Sequence, residues 1–163
     1  MRAAAFLVFV VLSPAALAFD ANGVALGGKE NDVRKAFPSA FCKPLEWKTG
    51  AADRRCDDGQ IAFGGVRAKI TFYLKADAIQ GFDVRFDTKE RERVASHLKS
   101  RWGAPVAEAT ETISRKNKED RRIYKVRWDK GSEHAVLTAQ LERKRATLEV
   151  WRGNFAEEVY RVR

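Results

Sequence analysis

The chain has 163 residues, with 31 Lys or Arg, 22 Asp or Glu, two His and two Cys. This length fits one domain with a sizeable hydrophobic core, and the formal net charge of +9 favours acidic partners. Two cysteines without a nearby histidine fall short of the four ligands of a structural zinc ion, and they are not spaced as Cys-x-x-Cys. The composition therefore argues against a zinc-stabilised domain and a thioredoxin-like enzyme.

The N-terminus has the pattern of a secretory signal peptide. Residues 1–18 read MRAAAFLVFVVLSPAALA, with one basic residue, a short apolar run and a small-x-small ending. The apolar run is shorter than the roughly 20 residues that a membrane-spanning helix needs. We therefore predict cleavage after Ala18, which leaves Phe19 first, and an exported protein that is periplasmic or secreted. The alternative is a buried N-terminal helix.

Export favours a disulfide between Cys42 and Cys56, because thiols pair readily in an oxidising compartment. In the chain-entropy model, closing a loop of this size stabilises the fold by about 3 kcal/mol. The predicted role is structural. A free reactive thiol and a metal ligand are the alternatives.

After the leader, the first half of the chain predicts a helix followed by strands. Residues 30–37 place two apolar residues four positions apart and precede Pro38, as in a short helix. Three strand-like segments follow, IAFGG, VRAKITFYLK and IQGFDVRFD, and the last two alternate apolar and polar residues. Gly64 and Gly65 predict a bulge or sharp bend, and residues 75–78 predict a hairpin turn.

The second half repeats this order. Residues 89–102 form an apolar stripe of helical period that ends before Gly103. The predicted strands RIYKVRW, EHAVLTAQLE and ATLEVW follow, with turns at 129–131 and 143–145, and a short helix is predicted at 154–160. We predict an α+β fold, a twisted antiparallel sheet with helices on one face, formed by a single domain of residues 19–163. Residues 23–87 and 89–151 are possible tandem repeats.

Two stretches resemble a known family. GVALGGKENDVRKAFP (23–38) resembles the opening of BamE-like outer-membrane assembly proteins and of the β-lactamase inhibitor protein superfamily. LKSRWGAP (98–105) is similar to the corresponding helix end in their second repeat. The resemblance implies a small exported module whose sheet, or groove between repeats, binds another protein. BamE-like proteins usually carry a lipidated cysteine after the leader, which this chain lacks, whereas the cysteine-closed loops of the inhibitors match it.

Catalytic and metal-binding patterns are weak. His97 and His134 lie in different predicted elements, neither is spaced for metal chelation, and His97 is predicted to be solvated. The adjacent carboxylates at 57–58, 119–120 and 157–158 lie in polar segments that we expect to be exposed, which does not suit a glycosidase pair. We therefore predict a non-enzymatic protein without cofactor or metal.

The polar sides of the predicted strands carry the most informative set of residues. If the apolar sides pack under the helices, the other sides present aromatic residues among Arg and Lys, a composition typical of protein interfaces. The predicted partner-binding residues are Tyr73, Lys75, Arg85, Lys125, Arg127, Gln140 and Trp151, with Glu149 beside them. For Trp151 the alternative is packing against the C-terminal segment around Phe155 and Tyr160.

These patterns predict an exported, non-enzymatic binding module. Its basic, aromatic-bearing sheet face is expected to recognise an acidic protein or an anionic envelope component. Nucleic acid is not expected as a partner because export separates the protein from it, and no integral membrane segment is predicted. The alternative function is a periplasmic carrier that holds a lipid or another amphiphile in a cleft between sheet and helices.

Overall fold

A computed structural model describes residues 18–159, so the predicted signal peptide lies outside the described residues except for Ala18. None of the helices in this range is long and apolar enough to cross a membrane. In chain order, the elements are β1 (Asp20–Ala21), β2 (Val24–Ala25), α1 (Glu30–Ala36), β3 (Phe41–Pro44), β4 (Arg54–Phe63), β5 (Val66–Lys75), β6 (Ala78–Asp87), a 3₁₀ helix (Thr88–Glu90), α2 (Arg91–Trp102), β7 (Ala107–Arg115), β8 (Lys118–Lys130), β9 (Glu133–Gln140), β10 (Arg145–Arg152) and α3 (Phe155–Val159).

Eight of the strands form one antiparallel sheet in the order β3-β4-β5-β6-β10-β9-β8-β7, and β1 and β2 form a separate hairpin. Helix α1 precedes the consecutive strands β3 to β6, and α2 precedes β7 to β10. The two sets of four strands join where β6 pairs with β10. The predicted α+β fold with one large antiparallel sheet is confirmed.

Alternation along the strands gives the sheet two different faces. Ile70, Val84 and Leu148 are cross-strand neighbours on one face, and all three are buried. The same core cluster includes Val94 and Leu98 from α2, so we call this side the helix-covered face. The opposite side, which includes Lys69, Arg85 and Thr147, is here called the open face.

The predicted disulfide is confirmed. Cys42 on β3 and Cys56 on β4 are directly opposed in the register and are joined through their sulfur atoms. Cys56 is completely buried and lies opposite Phe72 of β5, within the helix-covered core. The cross-link therefore fixes the four-residue edge strand β3 to the sheet.

The sharp bend expected at Gly64 and Gly65 is confirmed, since the two glycines, with φ of 58° and 77°, form the tight turn between β4 and β5. Two local expectations change. His97 is half-buried rather than fully solvated, and its ring packs edge-on against Phe63 with the centroids 5.6 Å apart. Asp58 is also buried, where it accepts a hydrogen bond from the Ser39 hydroxyl at 2.7 Å.

The largest difference from the sequence expectation is a hairpin arm formed by β7 and the first part of β8. All nine residues of β7 are exposed, and β8 begins at Lys118, before its pairing with β9 starts at Ile123. The arm therefore extends past the end of β9. Apolar alternation does not reveal it, because neither side of this strand is buried.

Candidate anion-binding groove on the open face

The open face carries a row of hydrogen-bond donors that crosses five strands. The row follows the register, because directly opposed residues in an antiparallel sheet project to the same side. It consists, from β5 to β8, of Lys69, Arg85, Thr147, Thr138 and Lys125. With neighbouring strands about 4.8 Å apart, this basic row is about 19 Å long.

A groove of about 690 Å³ lies where the basic row meets the turn between β9 and β10. Strands β5 and β6 form one wall and the turn forms the other. Backbone hydrogen bonds fix this turn, since Thr88 N donates to Lys144 O at 3.0 Å and Arg143 N donates to Gln140 O at 2.9 Å. Six of the ten residues that line this basic groove are cationic, namely Arg67, Lys69, Arg85, Arg143, Lys144 and Arg145.

Five of the six cations of the basic groove have no acidic partner within the described residues. Within residues 18–159, Arg85 is the one member of the six that has a carboxylate oxygen within 4 Å, that of Asp83 at 3.6 Å. Asp87 also lines the groove, but one of its oxygens accepts a hydrogen bond from Lys89 N at 3.0 Å. Mutual repulsion among clustered cations favours the binding of an anion, and arginine donors suit phosphate and carboxylate groups.

Next to the basic row, two carboxylates from different strands face each other. Glu149 of β10 is opposite Asp83 of β6, and the Tyr73 hydroxyl donates to Asp83 at 3.3 Å. Burial, and then the charge of Asp83, raise the pKa of Glu149 to about 7, although Arg85 and Lys125 act in the opposite direction. At neutral pH Glu149 is therefore about half protonated, which leaves more of the positive charge of the basic row uncompensated.

The other end of the open face is covered. Tyr73 and Phe155 are buried there in a second cluster, with ring centroids 5.4 Å apart, and Trp47 and Trp151 pack against its edge. A Cβ atom on Gly81 would lie 2.7 Å from the Phe155 ring, so the glycine permits α3 to pack on the sheet. This end of the face is a small core and not a free surface, so the prediction that all helices lie on one face of the sheet is wrong for α3.

The structure therefore corrects one predicted partner-binding residue and qualifies another. Tyr73 is completely buried under Phe155, so it cannot contact a partner. Trp151 is partly buried against the same cluster, which contains Phe155. This agrees with the alternative interpretation, in which Trp151 packs against the C-terminal segment. Tyr160, which that alternative also named, lies outside the described residues. Trp151 also lies 5.6 Å from the His134 ring.

The remaining predicted residues share the open face but do not form one site. Arg85 lines the basic groove and Lys125 ends the basic row. Gln140 lies at the end of β9, where its carbonyl oxygen accepts the Arg143 backbone bond. Arg127 is paired with Asp129 at 2.9 Å, and Lys75 lies at the covered end, where it lines two smaller cavities.

Sequence reasoning missed most of the groove. The predicted partner-binding residues do not include Arg67, Lys69 or Asp83, although the first two lie on the polar side of the predicted strand β5. The sequence predicts a turn at 143–145, but local pattern does not connect this turn to that strand. The missing information is the adjacency of β6 and β10, which brings the two halves of the groove together.

Two other clusters have structural explanations. Glu30 lies near Cys42 and Cys56 in a group with potential metal-ligand atoms, but the two sulfurs are consumed by the disulfide. His134 Nδ1 lies 2.6 Å from an Asp129 oxygen, and the same carboxylate also accepts from Arg127. These contacts form an ion-pair network at the end of β8 and β9.

Comparisons of this chain with protein-family models, with curated proteins and with solved structures found no match.

Proposed function

We propose that the protein is exported, is cleaved after Ala18, and acts as a non-enzymatic binding module for an anionic partner. The basic groove and the basic row bind an acidic protein or an anionic envelope polymer. The disulfide is compatible with an oxidising compartment outside the cytoplasm. The observation that carries the proposal is the clustering of six cations in one groove, of which five lack an acidic partner in the described chain.

The shape of the site favours an extended ligand. The basic row runs across the strands for about 19 Å and ends in the groove, so charged groups along a chain can be bound in succession. Between the cations, the hydroxyls of Thr147 and Thr138 make no side-chain hydrogen bonds to residues 18–159 and can donate to the same ligand. A linear polymer with repeated negative charges matches this arrangement.

The carrier alternative receives less support. A carrier needs space between the sheet and the helices, but that layer contains the closely packed side chains of Val33, Val94, Leu98 and Trp102. The groove described above opens on the other face. Surface recognition of a polyanion is therefore the better-supported proposal.

Two further sequence-based hypotheses remain proposals. The tandem-repeat hypothesis is supported by the order of elements, since each half contains a helix followed by four consecutive strands. The resemblance to BamE-like proteins and the β-lactamase inhibitor proteins stays a prediction.

Binding can be tested with fluorescently labelled polyphosphate and with labelled poly-glutamate, titrated with the purified protein and followed by anisotropy. The double variant Lys69→Glu with Lys144→Glu should weaken binding of at least one probe by about tenfold or more at low salt. The affinity of the unmodified protein should also fall steeply as salt is added.

The matched control is Lys35→Glu with Lys48→Glu, which changes the net charge equally with residues that do not line the groove. Equal loss of binding in the two double variants would show that net charge, and not the groove, attracts the probe. Preference for polyphosphate would indicate a phosphate-bearing envelope polymer, and preference for poly-glutamate would indicate an acidic protein. No binding of either probe would contradict the proposed function.

A further inference from the structure

We propose that Glu133 is the binding site for the α-ammonium group that export processing creates on Phe19. This inference rests on the processing proposed above and is independent of anion binding. It starts from one contact: the backbone nitrogen of Phe19 donates a hydrogen bond to Glu133 Oε2 at 2.9 Å, across 114 positions of sequence. A carboxylate therefore already faces the nitrogen atom at which the predicted cleavage occurs.

Phe19 is held firmly in this position. Its side chain is completely buried, and its ring lies 4.6 Å from the Trp102 ring of α2. Its carbonyl oxygen accepts a hydrogen bond from Leu26 N at 3.1 Å. The next residue, Asp20, forms an ion pair with Arg101 at 2.8 Å. All of these contacts come from residues that follow Phe19, and cleavage after Ala18 retains them.

Cleavage changes the chemistry of this nitrogen. Hydrolysis of the bond between Ala18 and Phe19 by the leader protease adds the hydroxyl of water to the Ala18 carbonyl carbon. The nitrogen receives the remaining proton, and with one more proton from solvent it becomes a cation with three N–H donors. The hydrogen bond from a neutral amide to the Glu133 carboxylate thereby becomes an ion pair, in which the ammonium donor and the carboxylate acceptor are both charged.

Other charges surround this pair and must be considered. The Lys130 ammonium lies 4.9 Å from the centroid of the Phe19 ring, and Arg152 is opposite Glu133 in the register. Both cations disfavour a positive charge on the Phe19 nitrogen. Asp20 favours that charge weakly, because its own carboxylate is paired with Arg101. Glu133 is the carboxylate that contacts the nitrogen directly, so its removal should have the largest effect on the ammonium group.

The pKa of the Phe19 α-amino group tests the inference. A chain that begins at Phe19 is prepared with isotope-labelled phenylalanine and titrated by NMR. An ordinary α-amino group has a pKa of about 7.7 to 8.0, and we expect this one to be about one unit higher, a tenfold change in proton affinity. Glu133→Gln should remove that increase. Glu133→Asp should retain part of the increase. If the glutamine variant does not fold, the aspartate variant tests the inference in its place.

Two controls separate this effect from the general charge. Glu157→Gln removes an exposed carboxylate of α3 and should leave the pKa unchanged. A chain that begins at Ala18 moves the ammonium by one residue, and its α-amino pKa should be ordinary. An ordinary pKa on Phe19 that is insensitive to Glu133 would overturn the inference and leave the processing intact. An exported protein whose intact mass does not begin at Phe19 would overturn both.

Discussion

The two faces of the same eight-stranded sheet differ in composition and burial. Leu148 and Thr147 are consecutive residues of β10, yet the first is fully buried beneath the helices and the second lies in the basic row. The helix-covered face is apolar and contains the disulfide, whereas the open face carries clustered cations and a pair of carboxylates. If the proposed function holds, alternate residues of the same strands serve stability on one face and recognition on the other.

The largest expected effect comes from the helix-covered face. Leu148→Ala should lower the free energy of unfolding by about 3 kcal/mol, because it leaves a cavity among tightly packed neighbours. Urea denaturation measures this loss. Thr147→Ala is the matched control on the adjacent residue and should cost less than about 1 kcal/mol. Equal losses would contradict the division between the faces.

Loss of the disulfide should have the second-largest effect on stability. Reduction, or replacement of both Cys42 and Cys56 by serine, should lower the free energy of unfolding by about 2–3 kcal/mol and release the edge strand β3. Denaturation with and without reductant measures the first effect, and amide hydrogen exchange at β3 measures the second. Because the basic groove lies elsewhere on the sheet, polyanion affinity should change little. A large loss of affinity would show that the two regions are coupled.

The third effect concerns the open face and depends on pH. The folded-state pKa of Glu149, about 7, lies above its ordinary value of 4.5, so its ionisation destabilises the fold. The penalty is absent below pH 4.5, grows between pH 4.5 and 7, and is complete above that. Glu149→Gln should therefore raise the free energy of unfolding by about 1–2 kcal/mol at pH 8 and leave it unchanged at pH 4.

Chemical denaturation at the two pH values measures the effect of Glu149→Gln. Glu111→Gln, on the exposed strand β7, is the control and should show no such pH dependence. In the parent protein, polyanion affinity should fall between pH 6 and 8 as Glu149 ionises beside the basic row. This fall should be smaller in Glu149→Gln, because the glutamine cannot ionise. If Glu149→Gln has the same free energy of unfolding as the parent protein at both pH values, the raised pKa of Glu149 is contradicted.

The smallest effect is a gain in stability. Lys69→Gln removes one of the crowded cations, so it should raise the free energy of unfolding by a few tenths of a kcal/mol at low salt while weakening polyanion binding several-fold. Lys48→Gln, away from the groove, should change neither. Added salt should abolish the stability difference. A destabilised Lys69→Gln would indicate that this cation has a structural role instead.

Local pattern was sufficient for much of the fold and insufficient for the site. The alternation in β5, β6 and β10 predicts these strands and their buried faces because one side of each strand enters the core. Strand β7, AEATETISR, has no buried side, so nothing in its pattern marks it as a strand. The groove and the Asp83–Glu149 pair depend on the contact of β6 with β10, a long-range pairing that local periodicity does not contain.

The hairpin arm has a practical consequence. Its tip, with Asn117 at a φ of 61°, lies in an exposed turn between β7 and β8. Arg122 in the arm forms an ion pair at 3.1 Å with Glu142, which immediately precedes the basic turn. Exposed turns of this kind tolerate insertions well. A fluorescent label can therefore be attached at the tip without disturbing either face of the sheet.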